Sequence, residues 1–353
     1  MTTLFDRLHG CLLGGAIGDA LGLPFERLSA DRARQIFGAQ PKGLEMQLLP
    51  HRGMLSDDTE HALFTARALL ESRGDAAKFG RALRGELRAW TFYLPPGVGK
   101  ATLLAGLKAW TFTHKTGVFS AGNGPAMRAP ILGAFLPDII QLREFCRAST
   151  VLTHTDPKAE IGAFAVALAA HQSAHDECSG ARLLRDLREW SDDSDAAREM
   201  IGLADKAVSS AARRQTAREF CRELGLERGV SGYIFHTVPV VLQCWLRYPD
   251  DFRAALESII RCGGDTDSTA AILGGIIGAR VGAENLPQHW RSELWDWPNS
   301  PAYIERVARE LESAHTEGIA VVAPRILLGA PMFRNAFFLL VILVHAARRM
   351  VPK

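Results

Sequence analysis

The sequence predicts an all-α fold, a single multi-helix domain over residues 1–353, on three observations. Helical periodicity dominates, alternating strand-like runs are scarce, and no long Gly/Ser/Pro linker divides the 353 residues. Composition agrees, with 47% apolar and 23% charged residues, which excludes a disordered chain, a collagen-like repeat and a coiled coil. Lys plus Arg number 41 and Asp plus Glu 39, a net charge of +2. That balance gives no reason to expect a stable nucleic-acid partner, or an anionic membrane as the main partner.

The first helical segment carries Gly10, Gly14, Gly18 and Gly22, one glycine every fourth residue. Residues four apart share a helix face, so the series forms a smooth ridge. Gly274, Gly278 and Gly282 repeat the device. Each glycine costs about 1 kcal/mol of helix propensity, so close helix–helix approach is expected to compensate. Thr59 to Glu71 places Ala62, Leu63, Ala66, Leu69 and Leu70 on one stripe. Ile161–Ala170, Phe252–Ile260 and Thr269–Val281 read the same way, and the β-branched run Val238–Leu242 is flanked by helical patterns.

The C-terminal stretch over 334–350 reads as an apolar helix. The thirteen residues between Arg334 and Arg348 rise about 20 Å as a helix, against a hydrocarbon core of about 30 Å. It is therefore expected to pack on the body or on a second subunit and not to span a membrane. The six cysteines include no C-x-x-C pair, as in a reduced cytoplasmic protein. No signal peptide is evident, because the first apolar run stops at Asp19.

Four segments could carry chemistry. Ser56-Asp57-Asp58-Thr59 opens a helix. Asp57 with Glu60 makes a capping box, but a cap needs one carboxylate, and two beside hydroxyls form a hard-oxygen cluster suited to Mg²⁺, Mn²⁺ or Ca²⁺. Gly263-Gly264-Asp265-Thr266-Asp267-Ser268 precedes another helix. It offers either a self-capped start or half of a carboxylate clamp. If the two clusters converge, four carboxylates need counter-charge, since like charges raise one another's pKa. Two cations would suit them. Gly122-Asn123-Gly124-Pro125-Ala126-Met127-Arg128 is a glycine turn with a proline able to start a helix, a geometry that also cradles phosphate. Thr153-His154-Thr155-Asp156-Pro157 holds a His beside hydroxyls and an acid, either a turn cap or a ligand-contacting group. Gly97-Val98-Gly99-Lys100-Ala101-Thr102 fails the P-loop pattern, with Leu at 94 and Ala at 101.

Taken in order, G-x-x-x-G-D-A-L-G-x-P-x-E, S-D-D-T, G-N-G-x-A-M-R, T-H-T-D-P and G-G-D-T-D-S resemble the ADP-ribosylglycohydrolase family over about residues 8–283. The resemblance implies an all-α fold with two Mg²⁺ or Mn²⁺ ions in a cleft. It implies hydrolysis of the bond between ADP-ribose C1″ and an acceptor, a protein side chain, a nucleic-acid base or a small molecule. Ser56, Asp57, Asp58, Asp265, Asp267 and Ser268 match metal ligands. Gly122, Asn123, Gly124, Ala126 and Met127 match the diphosphate loop, and His154 a residue near the ligand. Glu26 matches a glutamate implicated in catalysis or gating, and Glu26, Asp58 and Asp267 are the candidate bases. Gly97 stands where some members carry a catalytic aspartate, so their arginine-linked substrate is not implied. The alternatives are a non-catalytic ADP-ribose-binding or structural member, and a binuclear hydrolase of another phosphate-containing substrate. A monomer or a dimer fits equally.

Overall fold

Leu4–Gly22 forms the first helix because Thr3 caps it and fourteen of its residues find buried positions. In the computed structural model, which describes residues 2–38, 43–111, 115–317, 324, 326–327 and 329–350, seventeen α-helices account for most of the chain. They are α1 (Leu4–Gly22), α2 (Ala30–Phe37), α3 (Asp57–Ser72), α4 (Ala76–Phe92), α5 (Lys100–Lys108) and α6 (Gly124–Phe135). Next come α7 (Ile139–Val151), α8 (Pro157–Ala174), α9 (Gly180–Trp190), α10 (Asp195–Ala212), α11 (Ala217–Glu223) and α12 (Ile234–Arg247). The last are α13 (Phe252–Ile260), α14 (Thr266–Val281), α15 (Gln288–Glu293), α16 (Pro301–Glu317) and α17 (Ala330–Met350). Among the described residues the only sheet pairs β1 (Leu28–Ser29) antiparallel with β2 (Gly263–Gly264). The Val238–Leu242 run lies inside α12.

The core is one large apolar cluster, with a smaller one of Leu23, Leu48, Met54, Phe338 and Val341 under α17. α6, α8 and α14 contribute to the large one on nearly every side, with Phe164, Val166, Leu168, Ile272 and Ile276 at 2% exposure or less. The glycine ridges meet as their spacing predicts. A Cβ on Gly18 would run into the Ala270 carbonyl, and one on Gly14 into that of Gly274. A Cβ on Gly22 would come within 2.6 Å of Asp267 Cα. α1 and α14 therefore touch backbone to backbone, which places their ends, and the carboxylates there, side by side. Gly282 departs from the ridge and ends α14 at φ 79°.

Two helix ends differ from the sequence reading. α3 starts at Asp57, and its cap is Ser56, whose Oγ accepts from the Asp58 N–H at 3.2 Å. The expected capping role of Asp57 is thus taken by the serine, which frees the Asp57 carboxylate. α17 has 21 residues, one turn longer at its start than the apolar stretch suggested. It is held to the body by Arg334, which pairs with the buried Asp296 at 2.8 Å. His345 Nε2 stands 3.1 Å from the Pro24 carbonyl, and Arg349 donates to the Glu26 carbonyl at 2.8 Å. All six cysteines are free thiols.

Candidate active site

A cleft of about 630 Å³ opens where α1, α3, α6 and α14 begin or end. It gathers Glu26, Asp57, Asp58, Gly122, Asn123, Gly124, Met127, His154, Asp265, Asp267 and Ser268. Two residues of the sequence-predicted set do not line it. Ser56 is buried behind Asp58 as the α3 cap, and Ala126 is fully buried in the core.

The α3 cluster is aimed by Asp19, which α1 carries in its last turn. Asp19 Oδ2 accepts from the Ser56 N–H at 2.9 Å, the Thr59 N–H at 3.2 Å and the Thr59 hydroxyl at 2.5 Å. Burial pushes its carboxyl up to about 6, against these hydrogen bonds, which pull it down. Asp19 was legible only as the residue that interrupts an apolar run. Its signal was that interruption, a carboxylate where burial demands a partner.

The α14 cluster is not a helix cap. Asp265 occupies the N-cap position, yet its side chain makes no capping hydrogen bond. Its Oδ2 accepts from Asn123 Nδ2 at 2.7 Å instead. Asn123 thus links the glycine loop to the acidic cluster. Across the cleft the Ser268 hydroxyl donates to Asp58 Oδ2 at 3.1 Å. The two clusters are joined.

Positive φ lets the chain make this junction. Gly263 and Gly264 sit at φ 76° and 90°, where only glycine is at ease. They pair with Leu28 and Ser29 and carry Glu26 beside Asp265. A segment the sequence reading missed, Arg228–Gly232, stitches the rest. The Val230 N–H reaches the Gly263 carbonyl at 2.9 Å, the Asp265 N–H reaches the Val230 carbonyl at 2.6 Å, and the Asn123 N–H reaches the Gly232 carbonyl at 2.9 Å. Its sequence signal was the pair Gly229 and Gly232, of which Gly229 takes φ 119°.

The glycine loop leads into α6, with Pro125 in the first turn as the sequence suggests. The His154 ring lies against it. A Cβ on Gly122 would stand 3.0 Å from His154 Nε2, and one on Gly124 3.0 Å from Cε1. His154 Nδ1 lies 2.9 Å from Thr153 Oγ1. Burial, reinforced by Arg128, lowers its pKa to about 3, so the ring is neutral. Gly97, Gly99, Lys100 and Thr102, from the rejected P-loop stretch, form part of the cleft wall.

The electrostatics are unbalanced. Desolvation raises the Asp57, Asp58 and Asp267 carboxyls well above the usual range. Neighbouring acids add to it: Asp19 on Asp57, Asp57 on Asp58, Glu26 on Asp267. Glu26 is raised too, by burial and then Asp265, against the pull of Arg27 and Arg349. Asp58 Oδ1 and Asp267 Oδ1 are buried without a hydrogen-bond partner. Such orphans are rare in a closed fold. Among the described residues no three His, Cys, Asp or Glu side chains close round one point. The donors fit a divalent cation in kind, carboxylate and hydroxyl oxygen, without forming a finished shell.

Residues 1–319 match the family model for ADP-ribosylglycohydrolase. An uncharacterized protein of Archaeoglobus fulgidus is 30% identical, over 88% of this chain and 97% of its own. The ADP-ribosyl-[dinitrogen reductase] glycohydrolase of Rhodospirillum rubrum is 28% identical, over 83% and 91%. The human ADP-ribosylhydrolase ARH3 is 26% identical, over 88% and 94%. Among solved structures, an ADP-ribosylglycohydrolase-related protein complex superposes with a TM-score of 0.65 at 24% identity, over 90% of this chain and all of that one, a likeness of fold.

Proposed function

From the premise that this chain belongs to the ADP-ribosylglycohydrolase family and is a hydrolase acting on ADP-ribosylated substrates, we propose that it cleaves the bond between ADP-ribose C1″ and its acceptor with the help of two bound Mg²⁺ or Mn²⁺ ions. The observation that carries the metal reading is the pair of orphaned carboxylate oxygens, Asp58 Oδ1 and Asp267 Oδ1, in one cleft.

Asp57, Asp58, Asp265 and Asp267 would hold the metal, with Ser56 and Ser268 completing or orienting the set. When bound, divalent cations orient ribose hydroxyls and lower the pKa of a coordinated water. The protein does the rest. The Gly122–Gly124 backbone and the α6 N-terminus bind the diphosphate, which fixes the ribose against the acidic cluster, an orientation effect. Neutral His154 backs that loop and excludes water. Glu26, raised in pKa, takes the proton of the attacking water as the C1″ bond to the acceptor breaks, and the acceptor leaves with a proton from solvent or from a neighbouring carboxyl. The free thiols accord with a cytoplasmic location.

The test is hydrolysis of a panel of ADP-ribose conjugates, linked to arginine, serine, a nucleic-acid base and a small metabolite, with Mg²⁺ and with chelator. Release of ADP-ribose from at least one conjugate, abolished by chelator, is expected. Tight ADP-ribose binding with no cleavage of any conjugate would establish the non-catalytic alternative.

A further inference from the structure

α17 lies outside the matched family segment, which ends at residue 319. Its inner face is anchored by Arg334, Asn335, Phe338, Val341 and His345, all buried. Its outer face is apolar from Met332 to Ala347. Met332, Phe333, Phe337, Leu340, Leu343 and Val344 are 42–74% exposed, and the other exposed positions between them are Ala336 and Leu339. The apolar stripe of a helix normally faces a core, and this one faces outward.

We propose that this face is a lipid-contact surface, on which α17 lies in the plane of an anionic bilayer without crossing it. Three observations select lipid over a second copy of the chain. First, the exposed arc offers no hydrogen-bonding side chain. Protein interfaces carry about one hydrogen bond per 100–200 Å², whereas acyl chains require none. Second, Trp295 and Trp297, 49% and 55% exposed, extend the patch. The Trp295 ring stands 5.8 Å from Phe337, and indoles favour the headgroup level. Third, the charge at its C-terminal end is cationic. α17 contains no acidic residue, Arg348 is exposed, and Arg349 and Arg27 together outweigh the one acid beside them, Glu26, with which Arg27 pairs at 3.1 Å. A near-neutral chain thus presents a local cationic rim to anionic headgroups. α17 is long and apolar enough to span a bilayer, but its anchors on the body hold it along the surface.

The test is flotation of the full chain with phosphatidylcholine vesicles containing phosphatidylserine, and with phosphatidylcholine alone. The chain should float with the anionic vesicles. Leu340→Glu with Leu343→Glu should reduce the floating fraction about tenfold or more, since charges are excluded from the acyl boundary. Arg348→Glu should weaken it less and flatten its salt dependence. Unchanged thermal melting of the variants keeps the comparison free of unfolding, because all three side chains are exposed. Absence of flotation with either vesicle overturns the proposal. So does a two-copy species in light scattering that the double variant dissolves while neither protein floats.

Discussion

The Ser268 hydroxyl donates to Asp58 Oδ2 at 3.1 Å, joining residues 210 positions apart in sequence. The Ser56 hydroxyl also donates to that oxygen, at 3.3 Å. One oxygen of Asp58 is thereby pinned and the other, Oδ1, is left free and buried. Ser268→Ala should unpin the carboxylate. Groups that orient ligands are typically worth 10–100-fold in metal affinity, and a weakening of about that size is expected in Mg²⁺ titration calorimetry.

Asp267→Ala should abolish turnover, by about 100-fold or more, and leave the fold intact. Its carboxyl is buried, lacks a partner on Oδ1 and is repelled by Glu26. Removing it should hold or raise the melting temperature in chelator. A marked fall there would mean that the carboxylate supports the α14 start after all.

The α1–α14 seam makes opposite predictions for two glycines. Gly18→Ala forces a Cβ into the Ala270 carbonyl, and overpacking of this kind costs about 1–3 kcal/mol or more. Gly202, in α10, has nothing within 4 Å of the position a Cβ would take. Gly202→Ala should stabilise by up to about 1 kcal/mol. Urea unfolding midpoints of the two variants would separate them.

His154 gives a pH signature. Its folded pKa, about 3, lies below the ordinary His value of 6.5. Between those values the unfolded chain binds the proton and the folded one does not, so stability rises with pH across this window and falls on acidification. The limiting slope is about 1.4 kcal/mol per pH unit. The raised carboxyls act in the opposite sense, stabilising at low pH. The readout is therefore the difference between native chain and His154→Gln: between pH 7 and pH 5 the native chain should lose more stability than the variant. Equal loss would place His154 in solvent.

The helices and the glycine seam were legible because a 3.6-residue period and a four-residue glycine spacing are local signals. The acidic clusters were legible as oxygen-rich helix starts, and two local rules could not decide between cap and ligand there. The structure answers the capping half of that question through partners remote in sequence. Ser56 does the capping, and Asn123 takes the Asp265 oxygen that a cap would have used. Asp19 and the Arg228–Gly232 loop were not legible as site residues, since their roles are hydrogen bonds to segments that sequence alone does not bring near. The outer face of α17 was legible as apolar, and only the packing of its inner face shows that the other half is uncovered.

The backbone contact between α1 and α14 also sets a timetable for synthesis. The partner ridge at Gly274 leaves the ribosome about 260 residues after the α1 ridge at Gly14, on the order of 13–50 s later at usual elongation rates. Through that interval the first helix is apolar and long enough to resemble a membrane span, although it is 94% buried once folding is complete. The nascent chain therefore has to be kept from targeting and aggregation factors until its second half arrives. Truncated products ending before α14 should accumulate with chaperones, holding Asp19, Asp57 and Asp58 but no site.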